Sequence, residues 1–421
     1  SERSRLMARP LGNARLDARE LAQAANGHPR PAAIVCNAHI TGLAVARSLA
    51  RRGVPVIGLD REPDGVALAS NALVAAAVCH DPITAEEAFV ADVLAIGEHL
   101  ERPAVLFGCM DEWVLALSAH RERLEESFAF PFAEDAVVRG LLDKSVLYRS
   151  AAAAGIPYPK TLDTRETDED QVLAEIGVPC ILKPAAKRPF YDAFGTNLFV
   201  VEDAEAFATR RREGKAFGML AQEIIPATGD DYVTVAAALG RGGQVLGTFV
   251  GQRLEIYPPG FGTTCLARTV VEPELAERAV AILQRLGYYG IAEVEFLRDP
   301  RDGVFKLLDV NTRPWKWIGL PIAAGVDLPW LAYAETTGEA VGTVERRDDV
   351  LWVSVRDYVP LRARGEAMQA VDPLGKERWL HLISGRIGDG VVDAILDPTD
   401  PEPFYRALQS AFGEGRYSCP C

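Results

Sequence analysis

Continuous apolar runs alternate with a helical pattern near the start of the chain. Residues 32–36 and 54–59 are apolar, which is typical of buried strands, and residues 43–52 between them have helical spacing that ends at Gly53. A strand, a helix and a second strand in this order predict the opening of a doubly wound α/β domain. Residues 1–30 are polar and Ala-rich, and we expect an extension there that contains one helix.

Polar residues follow two of the predicted strands of this domain. His39 comes after the first strand, and Asp111 and Glu112 come after a further apolar run at residues 104–108. Ligands of open α/β sheets bind at the carboxyl ends of the strands, so these three residues are candidates for contact with a substrate. The alternative for the two acids is that they cap the helix that follows them.

The loop after the first strand does not carry the glycines of a dinucleotide site. It reads Asn-Ala-His-Ile-Thr-Gly at residues 37–42, without the pattern G-x-G-x-x-G. Asp60 does end the second strand, where an acid of such a site would bind the ribose of NAD. An NAD-linked oxidoreductase is therefore a weak alternative, and a lack of NAD binding would exclude it.

Two further apolar runs, at residues 291–297 and 304–310, flank a turn with Asp and Gly and predict a β-hairpin. Glu295 lies on the first run, and Asp309 and Asn311 end the second, where alternation puts both on one face. Two carboxylates and an amide oxygen suit Mg²⁺ held together with phosphate oxygens. The alternative is an acidic surface hairpin, but a buried unpaired carboxylate is costly, which favours the metal site.

Five cations stand beside apolar segments. Lys144 opens an amphipathic helix, where an ordinary surface lysine is the alternative, and Lys183 ends the apolar strand VPCILKP, where it must find an anion or reach water. Arg313 follows the hairpin, in a position where a cation can meet developing negative charge. Arg253 and Arg268 flank the segment YPPGFG and can face a phosphate or a carboxylate, with surface salt bridges as an equal alternative.

Composition narrows the class of protein. The chain has 421 residues, of which 45 are basic and 59 acidic, and its net charge of −14 argues against a nucleic-acid or anionic-membrane binder. No apolar run reaches the length of a membrane span, and the first residues have no signal-peptide core. Five of the seven cysteines lie in or beside apolar runs, which fits a reducing compartment. We expect a cytoplasmic protein, with Cys419 and Cys421 in a tail rather than a metal site.

Several of these segments together resemble a known superfamily. EVEF and LLDVNTRP of the hairpin, the Asp143-Lys144 pair, LKP at Lys183 and PPGFGT resemble the ATP-grasp carboxylate–amine ligases, the group that includes D-aspartate ligase. The resemblance covers about residues 32–337 and implies a multidomain fold of α/β and α+β parts. The implied units are an N-terminal extension (1–30), a Rossmann-like pre-ATP-grasp domain (31–138), a two-lobed ATP-grasp domain (139–340, with lobes at about 139–218 and 219–340) and a C-terminal extension (341–421).

The resemblance also assigns roles to single residues. It puts Lys144 and Lys183 at the phosphates of ATP, with Lys183 also near the adenine, and Asp231 at the ribose, although on composition alone Asp231 belongs to a turn. The residues implied to border the adenine are Gln222, Glu223, Ile224 and Ile225. Glu295, Asp309 and Asn311 are implied to hold Mg²⁺, and the catalytic cations are implied to be Arg313, Arg253 and Arg268.

Two positions depart from the pattern of the superfamily. D-alanine–D-alanine ligases have an arginine two residues before the acid of the first metal strand, where this chain has Glu293, and its own arginine, Arg313, follows the asparagine as in biotin carboxylase. A flexible Gly-rich loop over the phosphates is expected after Lys183, but residues 185–195 contain only one glycine, and Lys187 and Arg188 can supply charge instead.

The implied activity is the ATP-dependent joining of a carboxylate to an amine, with amino acids as the default substrates. ATP activates the carboxylate as an acyl phosphate, and ADP and phosphate are released. The implied cofactors are ATP and two Mg²⁺ ions, for which Mn²⁺ can substitute, and the implied partners are small molecules and a second copy in a homodimer. A non-catalytic ATP-binding regulator of the same fold is the alternative, although a sensor need not keep all three metal ligands. The sequence does not show which carboxylate and which amine react.

Overall fold

A parallel sheet forms the first unit of the computed structural model, which describes residues 16–185, 187–227, 229–260, 262–342, 345–385 and 390–413. Its strands are β1 (Ala33–Cys36), β2 (Val56–Asp60), β3 (Ala75–Val78), β4 (Ala104–Gly108) and β5 (Phe128–Ala129). They pair in parallel in the order β3-β2-β1-β4-β5. Because β2 and β4 lie on opposite sides of β1, the carboxyl end of β1 is the switch point at which such sheets bind ligands.

Helices follow the strands of this unit, and the one between β1 and β2 was predicted from the apolar pattern. They are α1 (Ala18–Ala25), α2 (Ile40–Arg51), α3 (Glu86–Gly97), α4 (Asp111–Ala119), α5 (Arg121–Leu124) and α6 (Asp135–Leu142). The expected N-terminal helix is α1, and Asp17 begins it by accepting a hydrogen bond from the backbone nitrogen of Glu20 at 3.0 Å. Asp111 and Glu112 lie in the first turn of α4, where the helix dipole favours negative charge.

An antiparallel sheet of four strands is the second unit. The strands are β6 (Thr161–Asp163), β7 (Cys180–Pro184), β8 (Phe199–Val201) and β9 (Met219–Glu223), in the order β6-β9-β7-β8. The helices beside them are α7 (Lys144–Ala153), α8 (Glu169–Glu175), α9 (Lys187–Phe194) and α10 (Ala204–Glu213). β9 begins at the expected lobe boundary, and its pairing with β6 and β7 puts it in the first of the two lobes.

A helix occupies the segment that was expected to be a flexible phosphate loop. Residues 187–194 form α9, because Phe190 and Phe194 on one of its faces lie 4.7 Å apart and pack against Phe199 and Phe217 at centroid distances of 4.9–5.6 Å. Aromatic burial of this size stabilises a helix that the low glycine content already permits. The side chains of Lys187 and Arg188 lie outside the described residues, so their predicted contacts with phosphate stay predictions.

A mixed sheet of seven strands is the third unit. Its strands are β10 (Tyr232–Leu239), β11 (Val245–Tyr257), β12 (Thr263–Thr269), β13 (Gly290–Arg298), β14 (Phe305–Asn311), β15 (Leu351–Val353) and β16 (Val391–Asp393). The order is β14-β13-β10-β11-β12-β15-β16, and the pairs are antiparallel except for β15 with β16. The helices of this part are α11 (Pro273–Arg285), α12 (Gly319–Ala323), α13 (Leu328–Thr337), α14 (Val355–Ala363), α15 (Gly375–Ile383) and α16 (Glu402–Gly413).

The segment expected as a C-terminal extension is joined to both neighbouring units. Its strands β15 and β16 continue the seven-stranded sheet. Near its end, buried Asp400 accepts a hydrogen bond from Arg47 Nε of α2 at 2.9 Å, and a buried ion pair of this kind fixes the two elements relative to each other. The extension therefore contributes side chains to the space between the first and third units.

The hydrophobic core shows which units form one body. Ile34 and Leu106 of the parallel sheet share a buried cluster with Val233, Val294 and Val310 of the seven-stranded sheet. The four-stranded sheet has a buried cluster of its own, which includes Leu182, Phe190 and Phe207. The carboxyl edge of β1 is thereby held against the seven-stranded sheet, and the site lies where these units meet. No helix in the described ranges combines the length and the apolar character that a membrane crossing requires.

Candidate active site

A cavity of about 550 Å³ lies between the parallel sheet and the seven-stranded sheet. The first unit contributes the residues at the carboxyl ends of its strands, namely Asn37, His39, Thr41, Arg61, Cys109, Met110, Asp111 and Glu112. The seven-stranded sheet and the loop after it contribute the charged and aromatic residues Tyr232, Arg253, Glu293, Glu295, Arg313, Trp315, Lys316 and Trp317, together with polar Thr234, Thr263, Thr264 and Asn311. His39, Asp111 and Glu112 were expected on the substrate side, and all three line this cavity.

The β13–β14 hairpin brings the predicted metal ligands together. Glu295 pairs with Asp309 across the two strands, Glu293 pairs with Asn311, and a bulge follows Glu295. Asn311 Nδ2 donates hydrogen bonds to Glu293 Oε2 at 2.9 Å and to Glu295 Oε1 at 3.1 Å. The alternation of side chains in the sequence predicted this grouping, and the bulge adjusts it locally.

Glu293 is a buried acid in the middle of this group. Only 4% of its surface is exposed, and burial, followed by the charge of Glu295, raises the pKa of Glu293 well above its usual value. Arg313 and Arg253 act in the opposite direction. The position therefore holds a buried carboxyl group, and the arginines of this site reach it from other segments.

Lys144 forms a buried ion pair with Asp309 of the hairpin. It is the first residue of α7, and Asp143 caps that helix by accepting hydrogen bonds from the backbone nitrogens of Ser145 and Val146. Only 4% of Lys144 is exposed, so its ammonium group is fixed beside the end of β14. The structure thus brings Lys144 next to a predicted metal ligand rather than to the surface of the helix.

Lys183 reaches the same region from β7. Its Nζ donates to Tyr148 Oη at 2.6 Å and to Gln222 Oε1 at 2.9 Å, and it lies 4.7 Å from the centroid of the Tyr148 ring. Burial lowers the pKa of Lys183 to about 7, and the carboxylate of Glu295 opposes this shift. A lysine of this kind gains most from an anionic ligand, because that ligand would restore its charge.

The residues expected around the base and the ribose lie along β9 and after it. Gln222 is buried and donates to Thr161 Oγ1 at 2.7 Å, and Glu223 accepts from the backbone nitrogen of Lys160 at 2.8 Å and from Arg301 Nη2 at 2.7 Å. Ile224 is 37% exposed and Ile225 is 9% exposed, so Ile224 offers an apolar surface. Asp231 is buried and accepts from Arg298 Nη2 at 3.1 Å.

The three predicted catalytic arginines have different surroundings. Arg313 lines the cavity and is held by Asp111 of α4, with Nε at 2.6 Å from Oδ1 and Nη2 at 3.4 Å from Oδ2. Arg253 lines the cavity and lies over the ring of Tyr232, 3.9 Å from its centroid. Arg268 is exposed, donates to Gln252 Oε1 at 2.6 Å, and is not among the residues that line the cavity. The structure therefore brings Arg313 and Arg253 to the site but not Arg268.

Sequence reasoning missed two cations that line the cavity, Arg61 and Lys316. Lys316 Nζ donates to Asp357 Oδ2 at 2.9 Å and to Thr263 Oγ1 at 2.7 Å, and it is 8% exposed. A lysine between Trp315 and Trp317 is the signal that could have identified it, since a buried ammonium group needs an anion. Arg61 follows β2 directly, at the carboxyl edge of the parallel sheet, and carried the same signal as Asp111.

The charges around the cavity suit an anionic ligand that carries a metal ion. Within the described ranges, no three His, Cys, Asp or Glu side chains form a metal-binding group, so a site at the hairpin depends on Asn311 as well as on Glu295 and Asp309. Their donors are all oxygen atoms, which matches Mg²⁺ better than a transition metal. Lys144, Lys183 and Arg313 approach the same hairpin and can neutralise phosphate oxygens.

Comparison with known proteins gives partial matches in sequence. No protein-family model matches the chain. A D-aspartate ligase of Enterococcus faecium is 25% identical over 224 residues, which are 50% of this chain and 53% of that ligase. A D-alanine–D-alanine ligase of Acinetobacter baumannii is 28% identical over 177 residues, which are 37% of this chain and 51% of the ligase. The chain thus matches about half the length of these two relatives.

Comparison with solved structures is more extensive. A biotin carboxylase from Campylobacter jejuni has a TM-score of 0.61 at 18% identity, and the aligned part covers 76% of this chain and 74% of the carboxylase chain. The biotin carboxylase domain dimer of Hydrogenobacter thermophilus 2-oxoglutarate carboxylase, in complex with MgADP and bicarbonate, has a TM-score of 0.59 at 17% identity, with 76% and 73% covered. An L-amino acid ligase from Bacillus licheniformis has a TM-score of 0.57 at 14% identity, with 77% and 79% covered. The chain therefore has the ATP-grasp fold with a Rossmann-like unit before it, which confirms the fold class predicted from the sequence.

Proposed function

We propose that the protein is an ATP-dependent ligase that joins a carboxylate to an amine through an acyl phosphate and releases ADP and phosphate. The observation that carries this proposal is the convergence of Glu295, Asp309 and Asn311 of the hairpin with Lys144, Lys183 and Arg313. The sequence likeness to D-aspartate and D-alanine–D-alanine ligases supports the same class of reaction.

In this proposal ATP binds at the junction of the four-stranded and seven-stranded sheets. Lys183 and Lys144 contact the phosphates, because both ammonium groups are fixed beside the hairpin. The end of β9, with Gln222, Glu223, Ile224 and Ile225, borders the adenine, and Asp231 contacts the ribose. The exposed side chain of Ile224 supports this assignment, since an adenine ring needs an apolar surface to cover it.

The hairpin fits a hard cation. Glu295, Asp309 and Asn311 would hold two Mg²⁺ ions, for which Mn²⁺ could substitute, and the metal would neutralise charge on the phosphates of ATP. Lys144 is paired with Asp309 in this structure. The carboxylate of Asp309 thus connects Lys144, which we propose to contact phosphate, with the strand β14 of the proposed metal site. A non-catalytic ATP-binding protein would have less need of all three ligands, and the complete set favours a catalyst.

The remaining residues position the reacting groups. An oxygen of the carboxylate substrate attacks the γ-phosphorus of ATP, the bond to ADP breaks, and an acyl phosphate forms. The amine nitrogen then attacks the acyl carbon, phosphate leaves, and the amine loses a proton. Arg313 faces the place where negative charge develops, and Asp111 holds its guanidinium in one orientation. Arg253 supplies a second cation from β11, and a role for Arg268 stays a prediction.

We also propose that the protein acts on small molecules in the cytoplasm and forms a homodimer. Cys36, Cys79, Cys109, Cys180 and Cys265 are buried free thiols, which supports a reducing compartment. The dimer of the Hydrogenobacter thermophilus carboxylase domain supports the second part by likeness. Light scattering of the purified protein would test the oligomeric state.

A substrate screen tests the proposed activity. The protein is incubated with ATP and Mg²⁺ and with pairs of carboxylates and amines, starting with amino acids, and phosphate release is measured. We expect release that requires both substrates, with ADP as the nucleotide product and an amide found by mass spectrometry. AMP and pyrophosphate as the stoichiometric products would contradict the proposal, and so would ATP turnover that no carboxylate stimulates. The Glu295→Gln variant is the matched control for contaminating ATPases.

A further inference from the structure

A second group of charges surrounds the cavity at His39, on the side formed by the parallel sheet. The charged groups that act on His39 are three cations, Arg356, Lys316 and Arg61, and one carboxylate, Asp357. The charges that act on Glu293 of the hairpin are different ones, namely Glu295, Arg313 and Arg253. Arg313 is held by Asp111, whereas Lys316 and Arg356 are held by Asp357. We therefore distinguish the end of the cavity at the hairpin from a cationic end, which we define by His39, Arg61, Lys316 and Arg356.

The cations of the cationic end come from three distant parts of the chain. Arg61 follows β2, Lys316 lies in the loop before α12, and Arg356 lies in the first turn of α14 in the C-terminal segment. Arg61 and Lys316 line the cavity, and Lys316 is 8% exposed. A group of cations that the fold gathers at a cavity is a candidate binding site for an anionic ligand.

The cations are held in place before any ligand binds. Asp357 accepts from Lys316 Nζ at 2.9 Å and from Arg356 Nε at 3.2 Å, and Thr263 Oγ1 accepts from Lys316 Nζ at 2.7 Å. Arg61 has a weaker contact with Asp81, with 3.4 Å between Nη1 and Oδ1. One bridging carboxylate thus orients two of the cations, and the guanidinium of Arg61 is the more adaptable third.

Neutral polar groups complete this end of the cavity. Burial, followed by the charges of Arg356, Lys316 and Arg61, lowers the pKa of His39 to about 4, so its imidazole is neutral at pH 7. Asn37 and Thr41 line the cavity beside it. A neutral imidazole, an amide and a hydroxyl can all donate hydrogen bonds to an oxyanion without adding charge.

We propose that the cationic end binds a further anionic group of a substrate, a carboxylate or a phosphate ester, beyond the α-carboxyl group that every amino acid carries. The substrate pair would then carry this negative charge in addition to the carboxylate that is activated. This inference rests on the proposed function, because it assigns the anion to a substrate of the ligase. Binding of the anion, however, does not require turnover. The C-terminal segment determines specificity in this account, since it supplies Arg356 and the bridging Asp357.

Isothermal titration calorimetry without ATP tests the proposal directly. The probes are matched pairs that differ in one anionic group, namely glutamate with glutamine, aspartate with asparagine, and phosphoserine with serine. For the native protein we expect the anionic member of at least one pair to bind about tenfold more tightly or better, the scale of one charge-assisted hydrogen bond. The preferred pair distinguishes a carboxylate from a phosphate. Equal affinity for both members of every pair would overturn the proposal, and no variant is needed for that test.

Variants of Arg61 locate the effect. Arg61→Gln should weaken binding of the anionic member about tenfold and leave the neutral member unchanged, while Arg61→Lys should recover part of the affinity. Arg123→Gln is the matched control, because Arg123 is an exposed arginine of the same unit that pairs with Glu87. If Arg61→Gln changes both members by the same factor, or if Arg123→Gln gives the same loss, the assignment to the cationic end is wrong.

The failure of this proposal can be told apart from a failure of the proposed ligase activity. Charge-dependent binding without any ATP-dependent amide formation would contradict the ligase and leave the anion site. Amide formation with equal kcat/KM for neutral and anionic members of each pair would leave the ligase and overturn the anion site.

Discussion

The position of Arg313 is fixed by an ion pair with a carboxylate from another unit. Asp111 lies at the first residue of α4, on the parallel sheet, and Arg313 follows β14 of the seven-stranded sheet. The carboxylate of Asp111 and the burial of Arg313 oppose each other, and the net effect raises the pKa of Arg313, so it remains charged at any working pH. A permanent charge with a fixed orientation suits the stabilisation of a phosphoryl group in transfer.

Replacement of Arg313 by lysine should therefore affect the chemical step more than binding. Arg313→Lys keeps the charge but loses the two-point geometry, and we expect kcat to fall about 100-fold, the scale for one oriented donor. The affinity for ATP should change little, because the contact matters most in the transition state. Steady-state kinetics with a direct ATP-binding measurement checks this. Arg313 would be only a structural tie if the variant lost thermal stability while its kcat at saturating ATP and Mg²⁺ stayed native.

Glu295 and Asp309 should respond differently to removal of their charge. Glu295→Gln should abolish ligation with little change in the free energy of unfolding, because the carboxylate of Glu295 accepts its hydrogen bond from the neutral amide of Asn311. Asp309→Asn should abolish ligation and also lower the free energy of unfolding by about 3 kcal/mol, because it removes the charged partner of buried Lys144. Activity assays and denaturant unfolding of both variants check this. Near-native activity with an unchanged Mg²⁺ requirement in either variant would refute the metal assignment.

Lys183 should make nucleotide binding depend on pH. Its pKa is lowered to about 7 in the ligand-free protein, so at pH 8 it is mostly neutral, and an ATP phosphate beside it would raise its pKa again. ATP binding should therefore take up close to one proton at pH 8, and the affinity should fall as the pH rises above about 7. Calorimetry in buffers of different ionisation enthalpy measures this uptake. Lys183→Arg, which stays charged, is the control and should show less uptake, and equal uptake in both proteins would contradict the assignment.

The β13–β14 hairpin is the element whose geometry determines the site. It starts at Gly290, whose φ of +104° is in the region that favours glycine, and a Cβ there would lie 2.3 Å from the carbonyl oxygen of Pro131. Gly290 also pairs with Phe132 of the first unit in an isolated bridge. The hairpin is thus fixed at its first residue to the unit that carries Asp111.

Substitution at Gly290 should be more destabilising than the same substitution nearby. Gly290→Ala combines a φ of +104°, outside the left-handed region that L residues adopt, with a backbone clash, whereas Gly287→Ala has a φ of +68° inside that region and nothing within 4 Å of the added Cβ. We expect the clash and the less favourable φ together to cost about 1–3 kcal/mol beyond the loss in Gly287→Ala. Denaturant unfolding of the two variants gives the difference. Equal free energies of unfolding would show that the contact between Gly290 and residues 131–132 does not constrain the hairpin.

The hairpin could be predicted from the sequence because its information is local. Alternation along β14 places Asp309 and Asn311 on one face, and the turn between the strands brings Glu295 to Asp309. The helix α9 was missed because its stability comes from contacts of Phe190 and Phe194 with Phe199 and Phe217, which no local pattern shows. The grouping of Arg61, Lys316 and Arg356 was missed for the same reason, since it depends on the packing of three distant segments.

At the scale of the whole molecule, two bodies, each with its own hydrophobic core, meet at the site. The parallel and seven-stranded sheets share one buried core, while the four-stranded sheet has its own. Polar pairs from the second body reach the hairpin side, such as Glu223 with Arg301 at 2.7 Å and with Lys306 at 3.5 Å. The nucleotide contacts that we propose come from β7 and β9, and the proposed substrate contacts come from the parallel sheet. Two bodies that each supply one set of contacts suit a reaction that transfers a phosphoryl group from ATP to a second ligand.

The transfer of a labelled oxygen tests the central claim most directly. A carboxylate substrate labelled with ¹⁸O is converted with ATP and the amine, and the released phosphate is analysed by mass spectrometry. An acyl phosphate predicts that each phosphate carries one oxygen from the carboxylate, because the carboxylate oxygen that attacked the γ-phosphorus leaves with it. Stoichiometric amide formation with unlabelled phosphate, or with label found in AMP, would contradict an acyl-phosphate ligase.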